Sequence, residues 1–543
     1  MSKRIRLAMA QINLLVGDVA GNTAEVIRAA VTARDEHAAD VLVCPELTVT
    51  GYPADDLLLR ADFIDASDRA VERLCREVNG ITLIVGAPWL TADGLCNAAF
   101  VIRDGEILGR YGKYHLPTYG VFDDRRYFVS WETPCVVDVD GCPVGVTICE
   151  DAWHAGPVAW SRDAGARAVV NINASPFDQY KWAARESVLR ERTAESGLPI
   201  IYCNMAGGQD EVVYDGGSCA FDGDGDLKVR APRFRTGLYC VDLEARGDGR
   251  WEPLEGEIED DASAEAVAYE ALVWGVRDYV EKNGFPGVLI GLSGGMDSAL
   301  TACIAVDALG PDRVECVMMP TRFTSDMSRT DAAAIAERLG VTYHTVAIEG
   351  IFAAFTRALE PVFAGAPADI TEENLQSRSR GTLLMALSNK GGKLVLATGN
   401  KSEMAVGYAT LYGDMVGGFA PLKDIFKTEV YRLARYRNEL SPDIPENVFT
   451  RAPTAELRED QQDSDSLPDY PELDAILAAY VEDDLSADEI VADGHDAETV
   501  ARVVKMVHRN EYKRRQAPPG VKVTTKAFGR DRRYPITSGF GRG

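Results

Sequence analysis

Two groups of residues have types and spacings suited to chemistry. The first is Gly291-Leu292-Ser293-Gly294-Gly295-Met296-Asp297-Ser298. Glycines let the backbone approach an anion, and the first N–H groups of a following helix point at it. The hydroxyls of Ser293 and Ser298 add donors, and Asp297 can hold Mg2+ against phosphate. No Gly-Lys-[Ser/Thr] closes the loop, so it is not a Walker A turn. The second group is scattered: Glu46 after Val-Leu-Val-Cys-Pro, Lys113 in Tyr-Gly-Lys-Tyr-His-Leu-Pro, and Cys149 after Gly-Val-Thr-Ile. Alone, each has a bland alternative: a loop carboxylate, a solvated ammonium and a core thiol. Together they suit amide cleavage. A thiolate attacks the carboxamide carbon, a carboxylate relays the proton to the leaving ammonia, and an ammonium stabilises the oxyanion. A nearby lysine is also expected to lower the thiol's pKa. A His-assisted cysteine is less attractive. The chain has only six His, and His115 and His154, near Cys149, have loop alternatives.

The elements that must position these residues alternate along the chain. Arg6–Ile12 reads as a strand, and Asn22–Glu36 as a helix capped by Asn22 or Thr23. Strand-like runs recur at Val41–Cys44, Thr82–Gly86, Ala98–Arg103, Val144–Cys149, Ala168–Ile172 and Ile200–Asn204, with a long helix over Tyr180–Glu195. Asp104-Gly105 marks a hairpin turn. Near 247–262 the chain turns polar and loses its core pattern, which predicts a first domain over 1–250, a linker over 251–263 and a second domain over 264–543. The second domain opens with a helix, Ala264–Asn283. The Gly291–Ser298 loop then lies between Gly287-Val-Leu-Ile, a buried strand, and Ala299–Ala305, a helix. Further strands at Val314–Met319, Thr342–Ala347 and Lys393–Thr398 predict a doubly wound parallel sheet, which binds ligands at strand C-terminal ends.

The 543 residues suffice for two or three cores. A net charge of −27 argues against bulk nucleic-acid binding. The charge is uneven: residues 455–498 carry 16 Asp/Glu and one Arg, whereas 502–543 carry 12 Lys/Arg and two Asp/Glu. The acidic segment after Arg458 reads as solvated loop and surface helix. The basic tail reads as serving an anionic ligand or the chain's own acidic surface. Eleven Cys without a Cys-x-x-Cys pair, no signal-peptide h-region and no bilayer-length apolar run lead to the expectation of a reduced, cytoplasmic protein without a membrane partner.

The order Ser-Gly-Gly-x-Asp-Ser resembles the pyrophosphate loop of the N-type ATP pyrophosphatases. Pro45-Glu46-Leu47, Gly112-Lys113-Tyr-His-Leu-Pro117 and Ile148-Cys149-Glu-Asp-x-Trp153 resemble the Glu–Lys–Cys motifs of the nitrilase superfamily. Fused, and with the Asn510–Gly520 and Phe528–Ile536 stretches, they are similar over nearly the whole chain to the glutamine-dependent NAD+ synthetase family. The resemblance implies an α/β fold: an N-terminal nitrilase-like αββα sandwich, then a doubly wound (Rossmann-like) ATP pyrophosphatase domain. It implies Glu46 as general base, Lys113 as oxyanion stabiliser and Cys149 as nucleophile. Glutamine would meet Tyr119, Ser175 and Lys181, with Tyr52 and Phe122 lining the pocket. ATP would meet Gly291–Ser298 and Thr398, Mg2+ would meet Asp297 and Glu403, and deamido-NAD+ would meet Asn374, Glu403 and Lys513. One departure stands out: Phe122-Asp123-Asp124 replaces the Phe-x-Glu of many members, and Asp is one methylene shorter. The implied reaction hydrolyses glutamine, adenylates deamido-NAD+ with ATP, and aminates the acyl-adenylate to NAD+, giving AMP, pyrophosphate and glutamate. A closed internal path for ammonia and a homo-oligomer are also expected. A ligase for another adenylated substrate is disfavoured by Glu373-Asn-Leu-Gln-x-Arg378 and Gly399-Asn-Lys-Ser-Glu403. A nucleotide sensor is disfavoured because Cys149, Asp297 and Glu403 are all present, and a tRNA-modifying pyrophosphatase by the acidity.

Overall fold

The computed structural model describes residues 3–247 and 249–540. The chain divides into a unit ending at Asp261 and a unit beginning at Ala262.

In the first unit, two sheets stack face to face. The larger runs in the order Trp251–Pro253, Gly237–Ala245, Arg4–Gln11, Val41–Val43, Thr82–Leu90, Leu95–Arg103, Glu106–Gly112. The smaller runs Leu227–Arg230, Cys219–Phe221, Ile200–Asn204, Ala168–Asn173, Cys142–Ile148, Cys135–Val139. Successive side chains of a strand point to opposite faces. Leu7, Met9, Val41, Val43 and Ile84 therefore meet Val144, Val146, Ile148, Val170 and Ile172 between the sheets. The other face of the large sheet takes the helices Val19–Asp35 and Ala61–Glu77, through Val26, Ala30, Val71 and Leu74. The other face of the small sheet takes Pro157–Asp163 and Lys181–Ser196, through Val158 and Leu189. This is the expected αββα sandwich. Asp104 and Gly105 both adopt positive φ, the backbone a two-residue hairpin turn needs.

Three local expectations are corrected. The first helix begins earlier and is capped by Asp18, whose carboxylate accepts from Gly21 N. Asn22 lies inside it, exchanging hydrogen bonds with Leu15 N and O. The 251–263 stretch is not free chain: Trp251–Pro253 pairs with Gly237–Ala245 at the sheet edge, and Ile258 bridges Arg230. The acidic segment after Arg458 is not merely solvated. Leu473, Ile476 and Leu477 join Ile490, Val500, Val503 and Val507 in a helical core that also takes in Met404, Val406, Phe426 and Phe528. Most of its carboxylates lie outward, but Asp463 and Asp474 are buried and hydrogen-bonded, and Glu482 turns in to meet the buried Lys401 Nζ at 2.6 Å.

The second unit carries four parallel strands in the order Thr342–Thr345, Val314–Met318, Val288–Gly291, Leu394–Leu396. Leu289, Val317 and Val395 meet Leu384 of the helix Ile370–Gly391 on one face. The helix Met296–Leu309 packs on the same strands, and its neighbours Ala264–Lys282 and Lys427–Leu440 pack on it. The strand order reverses between Val288–Gly291 and Leu394–Leu396. Crevices at such switch points take ligands, and both the Gly291–Ser298 loop and Thr398 emerge there.

Candidate active sites

In the first unit, Glu46, Lys113 and Cys149 leave the C-terminal ends of three strands. The chain carrying Glu46 crosses so close to the strand Thr82–Leu90 that a Cβ on Gly86 would lie 2.3 Å from Leu47 N. Only glycine leaves that room. Glu46 and Lys113 are fully buried and Cys149 nearly so. Lys113 Nζ donates to Glu46 Oε1 at 2.8 Å and to Asp124 Oδ2 at 2.7 Å. Asn97 Nδ2 donates to the same Glu46 oxygen at 2.7 Å, and Ala174 N to the other at 3.1 Å. Asp124 reaches Lys113 despite its shorter side chain, because a short helical turn at Asp124–Arg126 brings it in, and Tyr52 Oη donates to its second oxygen at 3.0 Å. Cys149 opens a one-turn helix with φ of +43°, a left-handed backbone disfavoured for a residue with a Cβ.

Lys113 lowers the Cys149 thiol as expected, but its effect does not prevail. Burial raises the Cys149 pKa well above the ordinary range, Glu46 raises it further, and Lys113 only partly offsets this. Burial is the main cause, and of the charges beside the thiol the Glu46 carboxylate outweighs the Lys113 ammonium it pairs with. Burial alone would lower Lys113, but Asp124 and Glu46 hold it well above its ordinary value. The substrate-free site is therefore a thiol beside a carboxylate and a permanent cation.

Around this centre, Tyr119 is half exposed and donates to Glu150, at 2.8 Å to Oε1. Ser175 is buried, with its N–H on Asn204 Oδ1 at 2.9 Å. Lys181 Nζ lies 4.4 Å from the centroid of the Trp153 ring. Burial lowers its pKa, with Asp178 opposing. Tyr52 and Phe122 are buried in the core alongside. The His154 and His115 rings lie 4.4 Å apart, tilted by 35°, and His154 Nε2 approaches Glu150 Oε1 at 3.1 Å.

In the second unit, Gly294 takes a positive φ, and a Cβ there would lie 2.3 Å from the Ser328 carbonyl oxygen. Ser293 Oγ and Ser298 Oγ are 3.0 Å apart, and Ser293 Oγ also accepts from Gly295 N. Leu292 and Met296 have buried side chains, so what they offer a ligand is backbone. A cavity of about 220 Å3 is walled by Asp297, Thr398, Glu403, Lys427, Arg451 and Asp463. A second, of about 240 Å3, includes Gly291, Met319, Arg380, Leu384 and Thr398, and shares Ser293, Thr398 and Asp414 with the first.

Lys427 was not anticipated. Its ammonium pairs with Asp297 Oδ2 and lies 3.9 Å from Glu403 Oε1. Asn400 Nδ2 donates to Asp297 Oδ1 at 3.0 Å. Burial, then the Asp297 charge, raises Glu403 to about 8. Asp297 and Glu403 thus share one cation, and their hard oxygens fit the donor set Mg2+ takes. Asn374 and Lys513 do not line either cavity. Asn374 Oδ1 accepts from Thr410 Oγ1 at 2.8 Å, and Lys513 Nζ donates to the carbonyls of Gly407 and Ala409, both at 2.8 Å. They hold from behind the 407–410 segment, whose Tyr408 and Ala409 form part of the wall.

A carbon-nitrogen hydrolase family model matches residues 6–250, and an NAD synthase model matches residues 268–517. A glutamine-dependent NAD(+) synthetase of Xanthomonas campestris pv. campestris is 50% identical over 540 residues, 99% of this chain and 98% of that protein. The chain belongs to the glutamine-dependent NAD+ synthetase family. A family member from Acinetobacter baylyi is 46% identical over 541 residues, 99% of each chain. The solved structure of the Acinetobacter baumannii synthetase in complex with ADP is 45% identical and covers 99% of each chain, with a TM-score of 0.81. The synthetase of Cytophaga hutchinsonii, 22% identical with a TM-score of 0.85, covers 99% of this chain and 98% of its own and shares the fold. The first unit is accordingly the nitrilase-like one and the second the synthetase one.

Among residues that sequence reasoning missed, Asn97 carried a signal: a lone amide in the apolar run Leu95–Ile102 must find a buried partner. Lys427 carried none, because its partner Asp297 is 130 residues away.

Proposed function

We propose that this chain makes NAD+ from deamido-NAD+, ATP and glutamine. The observation that carries the proposal is the presence, in one chain of this family, of a buried Cys–Glu–Lys cluster and a glycine loop at a sheet switch point. At the first, Cys149 Sγ attacks the carboxamide carbon of glutamine while Glu46 takes the thiol proton. Two of the three N–H groups of Lys113 are held by carboxylates, which leaves the third for the oxyanion. The C–N bond then breaks, and Glu46 returns the proton to the departing ammonia. Water, deprotonated by Glu46, cleaves the γ-glutamyl thioester to glutamate. Tyr119, Ser175 and Lys181 hold the amino-acid end of the substrate.

At the second, the nicotinate carboxylate of deamido-NAD+ attacks the α-phosphorus of ATP and pyrophosphate leaves. Ammonia then attacks the acyl-adenylate and AMP leaves. The backbone of Gly291–Ser298 and Thr398 meet the nucleotide, and Glu403, Asn374 and Lys513 serve deamido-NAD+, the last two through the 407–410 segment. Asp297 and Glu403 would hold Mg2+, which would supply charge compensation to the phosphates. Lys427 offsets part of the repulsion between those two carboxylates.

The protein is further proposed to be a cytoplasmic homo-oligomer. Eleven free cysteines suit a reducing compartment, and no helix among the described residues is long and apolar enough to cross a membrane. Phe355, Val362 and Ile370 expose 45%, 75% and 67% of their surface on adjacent helices, an apolar face suited to a second copy. The test of the division of labour is Cys149→Ala. It should abolish glutamine-dependent NAD+ formation and retain formation from ammonium salt. Loss of both in a folded protein would sink the reading.

A further inference from the structure

Lys113 and Cys149 leave strands of opposite sheets: Glu106–Gly112 belongs to the seven-stranded sheet and Cys142–Ile148 to the six-stranded one. Sheets stacked face to face meet through apolar side chains, which sets their spacing but gives little direction. A reaction that needs sulfur, carboxylate and ammonium in register needs more than that. Asp151, two residues after Cys149, supplies a directional link. Its side chain is fully buried. Oδ1 accepts from Tyr114 N at 3.1 Å and His115 N at 2.8 Å, the two residues after Lys113. Oδ2 accepts from Ile148 N at 3.1 Å, the residue before Cys149, and from Tyr111 Oη at 2.9 Å. One carboxylate thus satisfies four donors, two on the lysine side by backbone, one by side chain, and one on the cysteine side. Tyr111 and Lys113 bracket the end of their strand, and Cys149 holds a left-handed φ that the surrounding structure must enforce.

We propose that Asp151 is a positioning residue of the amide-cleaving site, fixing the Cys149 turn against the Lys113 strand end across the two sheets. It touches neither substrate nor the reacting atoms. A carboxylate is suited to the place because it is acceptor-only when ionised, and all four of its partners are donors. An asparagine in the same pocket presents an NH2 group to one pair of those donors. The ionised form is costly in this buried place: burial raises Asp151 to about 6, opposed by its hydrogen bonds from His115 N and Tyr111. A solely space-filling role would be met at lower cost by an apolar side chain.

The inference rests on the proposed glutaminase reaction and is tested in the full-length protein. Glutamate release and glutamine KM are measured for wild type, Asp151→Asn and Tyr111→Phe, with circular dichroism and thermal unfolding of each preparation reporting its folded fraction. Displacing a reacting group by about 1 Å can cost on the order of a hundredfold in rate. Asp151→Asn should therefore lower glutaminase kcat by about tenfold or more while glutamine KM stays within about twofold. Tyr111→Phe removes one donor of four and should lower kcat by a smaller factor at the same KM. Cys149 alkylation by iodoacetamide should slow in step with kcat. If Asp151→Asn does not fold, Tyr111→Phe alone decides. A kcat unchanged in both variants would overturn the inference. So would a rise in KM with faster alkylation, the mark of a merely loosened pocket. Absence of glutaminase activity in the wild type would instead sink the functional reading beneath it.

Discussion

Replacing Asp124 by asparagine keeps the shape of the Lys113 cluster and removes one charge. Lys113 Nζ meets Asp124 Oδ2 at 2.7 Å in a pocket where both side chains are almost wholly buried, so solvent screens neither. A hydrogen bond to a charged group contributes about 1.5–3 kcal/mol and a neutral one about 0.5–1.5. The substitution therefore withdraws about 1–2 kcal/mol from the lysine's anchorage, or roughly five- to thirtyfold in a rate that depends on it. Tyr52, which donates to the other Asp124 oxygen, can turn its hydroxyl to accept from the new amide, so the shape of the pocket is kept. The loss of one negative charge also eases ionisation of Cys149, which opposes part of that loss. With the lysine's anchorage weakened, kcat/KM for glutamine should fall by about five- to thirtyfold, with ammonia-supported synthesis unaltered. Glutamate release without deamido-NAD+ is the assay. A kcat/KM within twofold of wild type would refute the idea that Asp124 holds the catalytic lysine. Asp124→Ala should do more harm, since it leaves a buried ammonium short of a partner and costs about 3–5 kcal/mol of stability.

Two other outcomes follow from named contacts. Lys513→Ala frees the carbonyls of Gly407 and Ala409 and should raise the KM for deamido-NAD+ by about tenfold, with glutamine hydrolysis retaining its own KM; steady-state kinetics with each substrate varied checks this. Because burial and Glu46 raise the Cys149 thiol, it stays protonated through neutral pH, so its alkylation rate in the substrate-free enzyme should climb with pH through pH 9 rather than level off near 7.

Legibility of this chain follows the range of the interactions. Cys149, Glu46 and Lys113 stood out because strand ends carry chemistry in layered α/β folds, and the apolar runs leading to them were plain. The switch point was legible for the same reason: short buried strands separated by helices admit few orders. Contacts made only on folding were not legible. Lys427 meets Asp297 across the second unit, and Asp151 meets Tyr114 and His115 across two sheets. Asn22 looked like a cap because its residue type prefers caps, but Asp18 supplies that bond and Asn22 instead satisfies Leu15. The acidic segment was misjudged by charge density. At Leu473, Ile476, Leu477, Val500, Val503 and Val507 the helical spacing of apolar residues outweighs the carboxylates between them. The basic tail is likewise tied into its own unit: Thr524 Oγ1 takes a hydrogen bond from Lys401 Nζ at 2.7 Å, Val523 N donates to Asp424 Oδ2 at 2.8 Å, and Arg532 meets Glu511 at 3.0 Å.

The central claim is that nitrogen taken from glutamine at Cys149 ends in the carboxamide of NAD+ at the expense of ATP cleaved to AMP. The direct measurement is to incubate the protein with ATP, Mg2+, deamido-NAD+ and glutamine labelled with 15N at the amide, and to analyse the products by mass spectrometry. The account predicts 15N-labelled NAD+, with one AMP and one pyrophosphate per molecule formed. Formation of ADP and phosphate instead, or NAD+ without the label, would contradict it.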